Sequence, residues 1–203
     1  MSYSGRELCE IDFNGPRSLR IGQFPAFDYF RDGSFYLLDS PGHAIGHLCG
    51  LVRTTVGAST PDTFVLLGGD ICHYAGIFRP SKYLPVPSSI MLHPCATHST
   101  IPFCPGSAFD ELQTSRGKEP TDTLYNLEFG HDIPLATKTV GHLQELDCDD
   151  NIFVIIADDA TVRDGVGHFP QSLNAWKEKG WGKALKWAFF RDLEAYWKKK
   201  GVL

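Results

Sequence analysis

Ser34-Phe-Tyr-Leu-Leu-Asp39, Ser40-Pro-Gly-His-Ala-Ile-Gly-His47 and Leu48-Cys-Gly-Leu-Val-Arg-Thr54 follow one another without a break. The first segment is short, aromatic and aliphatic, and a Pro-Gly pair follows it, which predicts a strand. The third is apolar and predicts the next strand. The segment between them is too rich in Gly and Pro for a helix and reads as a loop carrying two imidazoles, His43 and His47.

Moving outward, Pro61-Asp62 punctuates the chain. Thr63-Phe-Val-Leu-Leu67 then has the look of a buried strand, ended by Gly68-Gly69 and followed by Asp70. Asn151-Ile-Phe-Val-Ile-Ile156 is the clearest strand of all, and Asp158 and Asp159 follow it. Three strand ends therefore carry side chains able to hold a metal. In layered α/β folds ligands collect where loops diverge from strand ends. If the strands lie side by side and point the same way, these groups converge. Neutral imidazole and carboxylate oxygen are ordinary zinc ligands. Taken singly, each signal has a plainer reading. A Gly-His pair in a turn is commonly just a turn residue, and two acids after a strand commonly cap a helix or sit in solvent.

Elsewhere, Arg79 to Pro120 is dense in Pro, Ser, Gly and Cys and predicts a long irregular excursion. Pro134 is placed to open a helix running to about Leu146. Near the end, Leu185, Phe189, Leu193 and Tyr196 recur at helical spacing and predict one amphipathic helix. Trp176, Trp181, Trp187 and Trp197 crowd the same region, where bulky aromatics seal a core. The order of strands, excursion, helix, strand and helix implies a mixed α/β, layered (α+β-like) architecture, as one domain over residues 1–203.

Net charge is −5, which argues against a nucleic-acid face. Lys198, Lys199 and Lys200 suit the C-terminal end of a helix. There is no apolar run of membrane-spanning length and no apolar signal core in Met1 to Glu10. The six cysteines are dispersed without a CxxC pair, so reduced thiols and a cytoplasmic location are expected. His93-Pro-Cys-Ala-Thr-His98, with Cys104 nearby, is a rival metal candidate, but its spacing does not fit structural zinc sites. No cysteine is marked as an activated nucleophile. His73, His131, His142 and His168 have no partner identifiable from sequence, which points to core or surface roles.

The loop Ser40–His47 followed by an apolar strand resembles the third metal-ligand motif of the metallo-β-lactamase superfamily. Leu67-Gly-Gly-Asp70 resembles its fourth motif, the bridging aspartate, and Ile155-Ile-Ala-Asp-Asp159 sits where that family has a strand followed by a histidine. Order and spacing match over nearly the whole chain. The text from Gly68 to Pro85, GGDICHYAGIFRPSKYLP, and the Trp-rich end look most like fungal members similar to acyl-homoserine lactone lactonases.

The resemblance implies a partial αββα sandwich and a site with two divalent ions, usually zinc. Those ions supply a hydroxide that attacks a small-molecule ester, lactone or lactam, or in a glyoxalase-II-like thioesterase a thioester. It implies that His47 and Asp70 are metal ligands, Asp158 stands in for the closing histidine, and His43 and Asp159 support the loops. Two departures stand out. The leading His-x-His-x-Asp-His motif is absent, and no histidine precedes His43. The closing histidine is an aspartate. The expectation is a truncated chain with little or no activity alone, a non-catalytic remnant, or one completed by a partner chain. Loss of the first sheet would leave apolar faces and strand edges open. No nucleic-acid or membrane partner is expected.

Overall fold

The computed structural model describes residues 5, 7, 10–90 and 105–202. Six strands form one sheet whose spatial order repeats the chain order: β1 (Ser18–Ile21), β2 (Phe24–Asp28), β3 (Phe35–Asp39), β4 (Leu48–Thr55), β5 (Thr63–Leu67) and β6 (Ile152–Ile155). Each pair up to β5 is antiparallel, and β5 and β6 are parallel. It follows that β3, β5 and β6 run in the same direction and deliver their C-terminal ends to one edge of the sheet. The three strand ends singled out from sequence therefore lie along one edge of the sheet.

The strands read from sequence as 34–39, 48–54, 63–67 and 151–156 differ from β3 to β6 by at most a residue at an end. β1 and β2 carried no comparable signal. β1 is four residues with alternating partial burial, and β2 contains Pro25, which normally counts against a strand. The two-residue turn Gly22-Gln23 joins them, with Gly22 at φ 54°, where a side chain is strained.

A long crossover separates β5 from β6. It contains 3-10 turns at Gly69–Ile71 and Ala75–Ile77, then α1 (Gly106–Ser115) and α2 (Ile133–Asp147). The expected irregular excursion is corrected by α1. Its ten residues sit between Pro105 and Gly117, and that flanking composition masks the buried Ala108, Phe109 and Gln113. α2 starts as anticipated, with Pro134 in its first turn, and the Asp132 side chain accepts the Leu135 N–H at 3.0 Å. His93, Cys95, His98 and Cys104 lie outside the described residues.

After β6 come α3 (Ala160–Gly165), α4 (Trp181–Leu185), a 3-10 segment (Ala188–Leu193) and α5 (Glu194–Lys199). The single terminal helix expected from Leu185, Phe189, Leu193 and Tyr196 is thus broken into pieces. Trp187, Ala188, Phe189 and Phe190 are all buried. Burial on all sides of this stretch departs from the single apolar stripe that the amphipathic spacing implies. At the junction between α4 and the 3-10 segment, the Lys186 carbonyl accepts a hydrogen bond from Arg79 Nη1 at 2.7 Å.

One face of the sheet, with Phe24, Ala26, Leu38, Cys49, Leu51, Leu66 and Val154, forms the main core with Val140 and Leu143 of α2 and with Phe189, Phe190 and Trp197. On the opposite face Val65 and Phe153 pack against Val162, Trp176, Leu185 and Ala188, and Phe153 stacks on Trp176 at 5.4 Å. The registers align Phe35 with Val52, Leu37 with Gly50 and Gly50 with Leu67 on that same face. There Leu48 and Leu67 stay 38% and 42% exposed, and Phe35, Leu37 and Val52 are half-buried. Together they form a partly exposed apolar surface on the sheet.

Candidate metal centre

The loop after β3 is held from two sides. Gly42 lies against α2: a Cβ there would meet Ala136 N at 2.2 Å, and φ is 124°. The His131 N–H donates to His43 O at 2.8 Å, the Asp132 N–H to Gly42 O at 2.9 Å, and Thr139 Oγ1 to Pro41 O at 2.7 Å. Helix α2 thereby fixes the backbone that presents His43. On the neighbouring strand, Gly68-Gly69 ends β5, and the 3-10 turn from Gly69 lifts Asp70 out of the sheet.

His43 Nε2 lies 4.0 Å from Asp70 Oδ2, and His73 Nε2 lies 3.7 Å from Asp70 Oδ1. One imidazole therefore faces each carboxylate oxygen. The His43 and His73 ring centroids are 5.0 Å apart, and Phe129 lies 5.7 Å from the first and 6.0 Å from the second. Among the described residues, His43, Asp70 and His73 form a group whose donor atoms all lie within 4.8 Å of one another. Two imidazole nitrogens and a carboxylate form a donor set suited to zinc and other divalent first-row metals. No lysine or arginine ion-pairs with Asp70 among the described residues. The residues present therefore fit a metal ion.

His47 and Asp158 are not members of that group. His47 is engaged on both ring nitrogens. Its Nε2 accepts the Asp70 N–H at 3.0 Å. Its Nδ1 faces the Ser40 carbonyl at 3.1 Å and Ser40 Oγ at 2.9 Å. An accepting Nε2 puts the proton of the neutral ring on Nδ1, directed at the Ser40 carbonyl. His47 thus ties the β3 loop to the turn that carries Asp70. Gly69, at φ 53°, fits beside it, since a Cβ there would lie 3.2 Å from His47 Nε2.

Asp158 has φ 62°, an uncommon conformation for a residue with a side chain, and lines a cavity of about 550 Å³ with Leu67, Ile155, Val166 and Leu173. Asp159 is the N-cap of α3, its Oδ1 accepting the Thr161 and Val162 N–H groups at 2.9 and 3.3 Å. The helix-cap reading suffices for Asp159. Of the histidines given core or surface roles, His142 packs edge-on to Phe24 and His168 bonds the Arg163 carbonyl. His73 is the exception, since it stands beside Asp70. Its signal was the Asp70-x-x-His73 spacing across a tight turn, visible in the sequence but not specific.

The thiols beneath the loops offer no nucleophile. Burial pushes the Cys49 thiol up to about 11, partly offset by its hydrogen bond to Ser40. The Cys72 thiol is also raised by burial.

Over 195 residues the chain is 43% identical to a gamma-lactamase of Fusarium pseudograminearum, a match covering 94% of this chain and 46% of the relative. Over 189 residues it is 46% identical to a metallo-hydrolase of Annulohypoxylon moriforme, covering 93% and 47%. A gamma-lactamase of Gibberella moniliformis is 53% identical over 125 residues, covering 62% and 49%. The chain is therefore similar to fungal proteins named gamma-lactamase and metallo-hydrolase, and its mixed six-stranded sheet with helices is consistent with part of a metallo-β-lactamase fold. It spans about half the length of these three relatives. No family model and no solved structure matches it. Among its described residues, no helix is long and apolar enough to cross a membrane.

Proposed function

We propose that this chain is the metal-binding C-terminal part of a hydrolase that opens a small cyclic amide or ester, a lactam or a lactone. The observation that carries this reading is the meeting of His43, Asp70 and His73 at the strand ends, in a chain homologous to gamma-lactamases and a metallo-hydrolase. A divalent ion at such a centre, zinc in the first instance, supplies Lewis acidity toward a carbonyl oxygen and a nucleophile usable at neutral pH. The chain's own residues do the positioning. Asp70 is set by the His47–Ser40 tie, His43 by α2, and Phe129 shields both imidazoles on one side.

His43 and Asp70 are the ligands we favour. His47 would have to release the Asp70 amide before it could bind an ion. The closing aspartate, Asp158, is a weaker candidate on the next strand end. We further propose that a second segment of comparable size covers the open apolar surface of Phe35, Leu37, Leu48, Val52 and Leu67 and adds the remaining ligands. Its support is the twofold greater length of the relatives together with the exposure of Leu48 and Leu67.

The test is turnover of a panel of γ-lactams, lactones and thioesters by the zinc-loaded chain, alone and co-expressed with the N-terminal half of the Fusarium relative. Little or no hydrolysis alone, and lactam or lactone opening when complemented, is the expected pattern. Turnover of thioesters alone would favour a thioesterase. A complemented, metal-loaded protein inert on the whole panel would refute the hydrolase reading and favour a non-catalytic remnant.

A further inference from the structure

We propose that His73 is a metal ligand, and that His43, Asp70 and His73 hold a single divalent ion on this chain without help from any other segment. The inference deepens the metal-dependent reading above and rests on it only for the presence of an ion.

The argument begins with the distances. A four-coordinate zinc with bonds of about 2.0–2.1 Å keeps its donors about 3.3 Å apart. The two Nε2-to-carboxylate separations, 3.7 and 4.0 Å, exceed that by less than an ångström. Asp70 is the most exposed of the three, at 52% of its side chain, and free to rotate, while the imidazoles are more buried. Closing the site therefore requires a turn of the Asp70 carboxylate together with side-chain adjustment of the two imidazoles, whose donor atoms lie within 4.8 Å of each other.

The backbone is also committed. His73 lies between the 3-10 turns Gly69–Ile71 and Ala75–Ile77, and Cys72 before it is buried. The (i, i+3) relation to Asp70 across the first turn brings the two side chains to the same side. Phe129 stands against both imidazole rings, so each ring has an apolar neighbour on one side and the carboxylate on the other.

Three protein donors leave at least one coordination position open, the arrangement of a reactive rather than a structural ion. One donor atom from each of His43, Asp70 and His73 lies within 4.8 Å of the other two, a spacing that suits a single centre. A second ion would need donors from another segment.

The experiment is titration of the metal-free chain with Co²⁺, followed by visible absorption, with zinc calorimetry alongside. We expect about one ion per chain. His73→Ala should weaken binding by at least about 100-fold and change the Co²⁺ spectrum, since losing a ligand exceeds the 10–100-fold cost of losing a supporting contact. His43→Ala should do the same. His142→Ala and His168→Ala should bind as the parent does. His73 is partly exposed, and urea unfolding of His73→Ala checks that the fold survives.

Binding of Co²⁺ by His73→Ala with parental affinity and spectrum would overturn the proposal. So would a parent chain that takes up no ion, or two. Because the readout is binding, an ion bound without lactam opening leaves this proposal standing and sinks the hydrolase reading. Hydrolysis by the complemented protein that is indifferent to His73→Ala does the reverse.

Discussion

Replacing Gly42 with alanine isolates the contact that places the candidate centre. The new methyl would lie 2.2 Å from Ala136 N and 2.4 Å from Ala136 Cα, both backbone atoms of α2 that cannot swing aside. The φ of 124° adds conformational strain of about 1–2 kcal/mol. To relieve the overlap, the loop must separate from the helix. That endangers the hydrogen bonds His131 N–H to His43 O, Asp132 N–H to Gly42 O and Thr139 Oγ1 to Pro41 O. Each is worth about 1 kcal/mol net. With all three lost the total is about 4–5 kcal/mol, large against the total stability of an ordinary domain. Gly46 provides the internal control. It lies in the same loop with φ 74° but has nothing within 4 Å of an added Cβ. Gly46→Ala should therefore cost only the strain, about 1–2 kcal/mol. The assay is urea unfolding of both variants, with Co²⁺ uptake as the site readout. Gly42→Ala should lower the midpoint much further and weaken uptake. Equal destabilisation by the two variants would refute the argument that the α2 contact sets the loop.

Three further expectations can be checked. Arg79 and Asp147 form a buried two-point pair at 2.7 and 2.6 Å, so Asp147→Ala should destabilise by about 3–5 kcal/mol in urea unfolding, because it strands a buried guanidinium. Asp132→Ala removes the α2 cap and should cost about 1 kcal/mol by the same assay, with a matching retreat of amide protection at Leu135. Burial raises the Cys49 thiol to about 11 and raises the Cys72 thiol too, so the unfolded chain ionises first as pH rises. Stability should be intact below about pH 8.5, near the unfolded thiol value. Above it stability should fall, and a Cys49→Ala chain that loses stability as steeply as the parent would contradict Cys49's share.

The parts of this fold that were readable share a physical feature. β3 to β6 are apolar runs bounded by turn residues, and α2 announces itself through Asp132 and Pro134. Such local signals survive without knowledge of neighbours. The broken terminal helix was not readable, because its junction sits among distant partners such as Arg79, which donates to the Lys186 carbonyl, and local spacing does not register them. α1 was hidden by its Pro and Gly flanks. For the centre, the strand-end rule gave Asp70 and the His43–His47 loop, since strand direction follows from the antiparallel steps between β3 and β5. It could not rank the two imidazoles. That ranking depends on which ring meets the Asp70 amide and which meets the carboxylate, a difference of orientation within one short loop. His73 needed the tight turn after Gly69, which spacing alone does not reveal.

The match between strand order and chain order has a kinetic implication. From β1 to β5 every pairing joins segments separated by a short turn, so this meander closes only small loops and can form early, whereas β6 must find β5 after more than eighty intervening residues. Pulse-labelling hydrogen exchange should therefore see amides of β3 and β4 protected before those of β6. The carriers of His43, Asp70 and His73 belong to or adjoin the early ladder. Phe129 and α2 arrive with the late crossover, so the donors would be gathered before they are shielded.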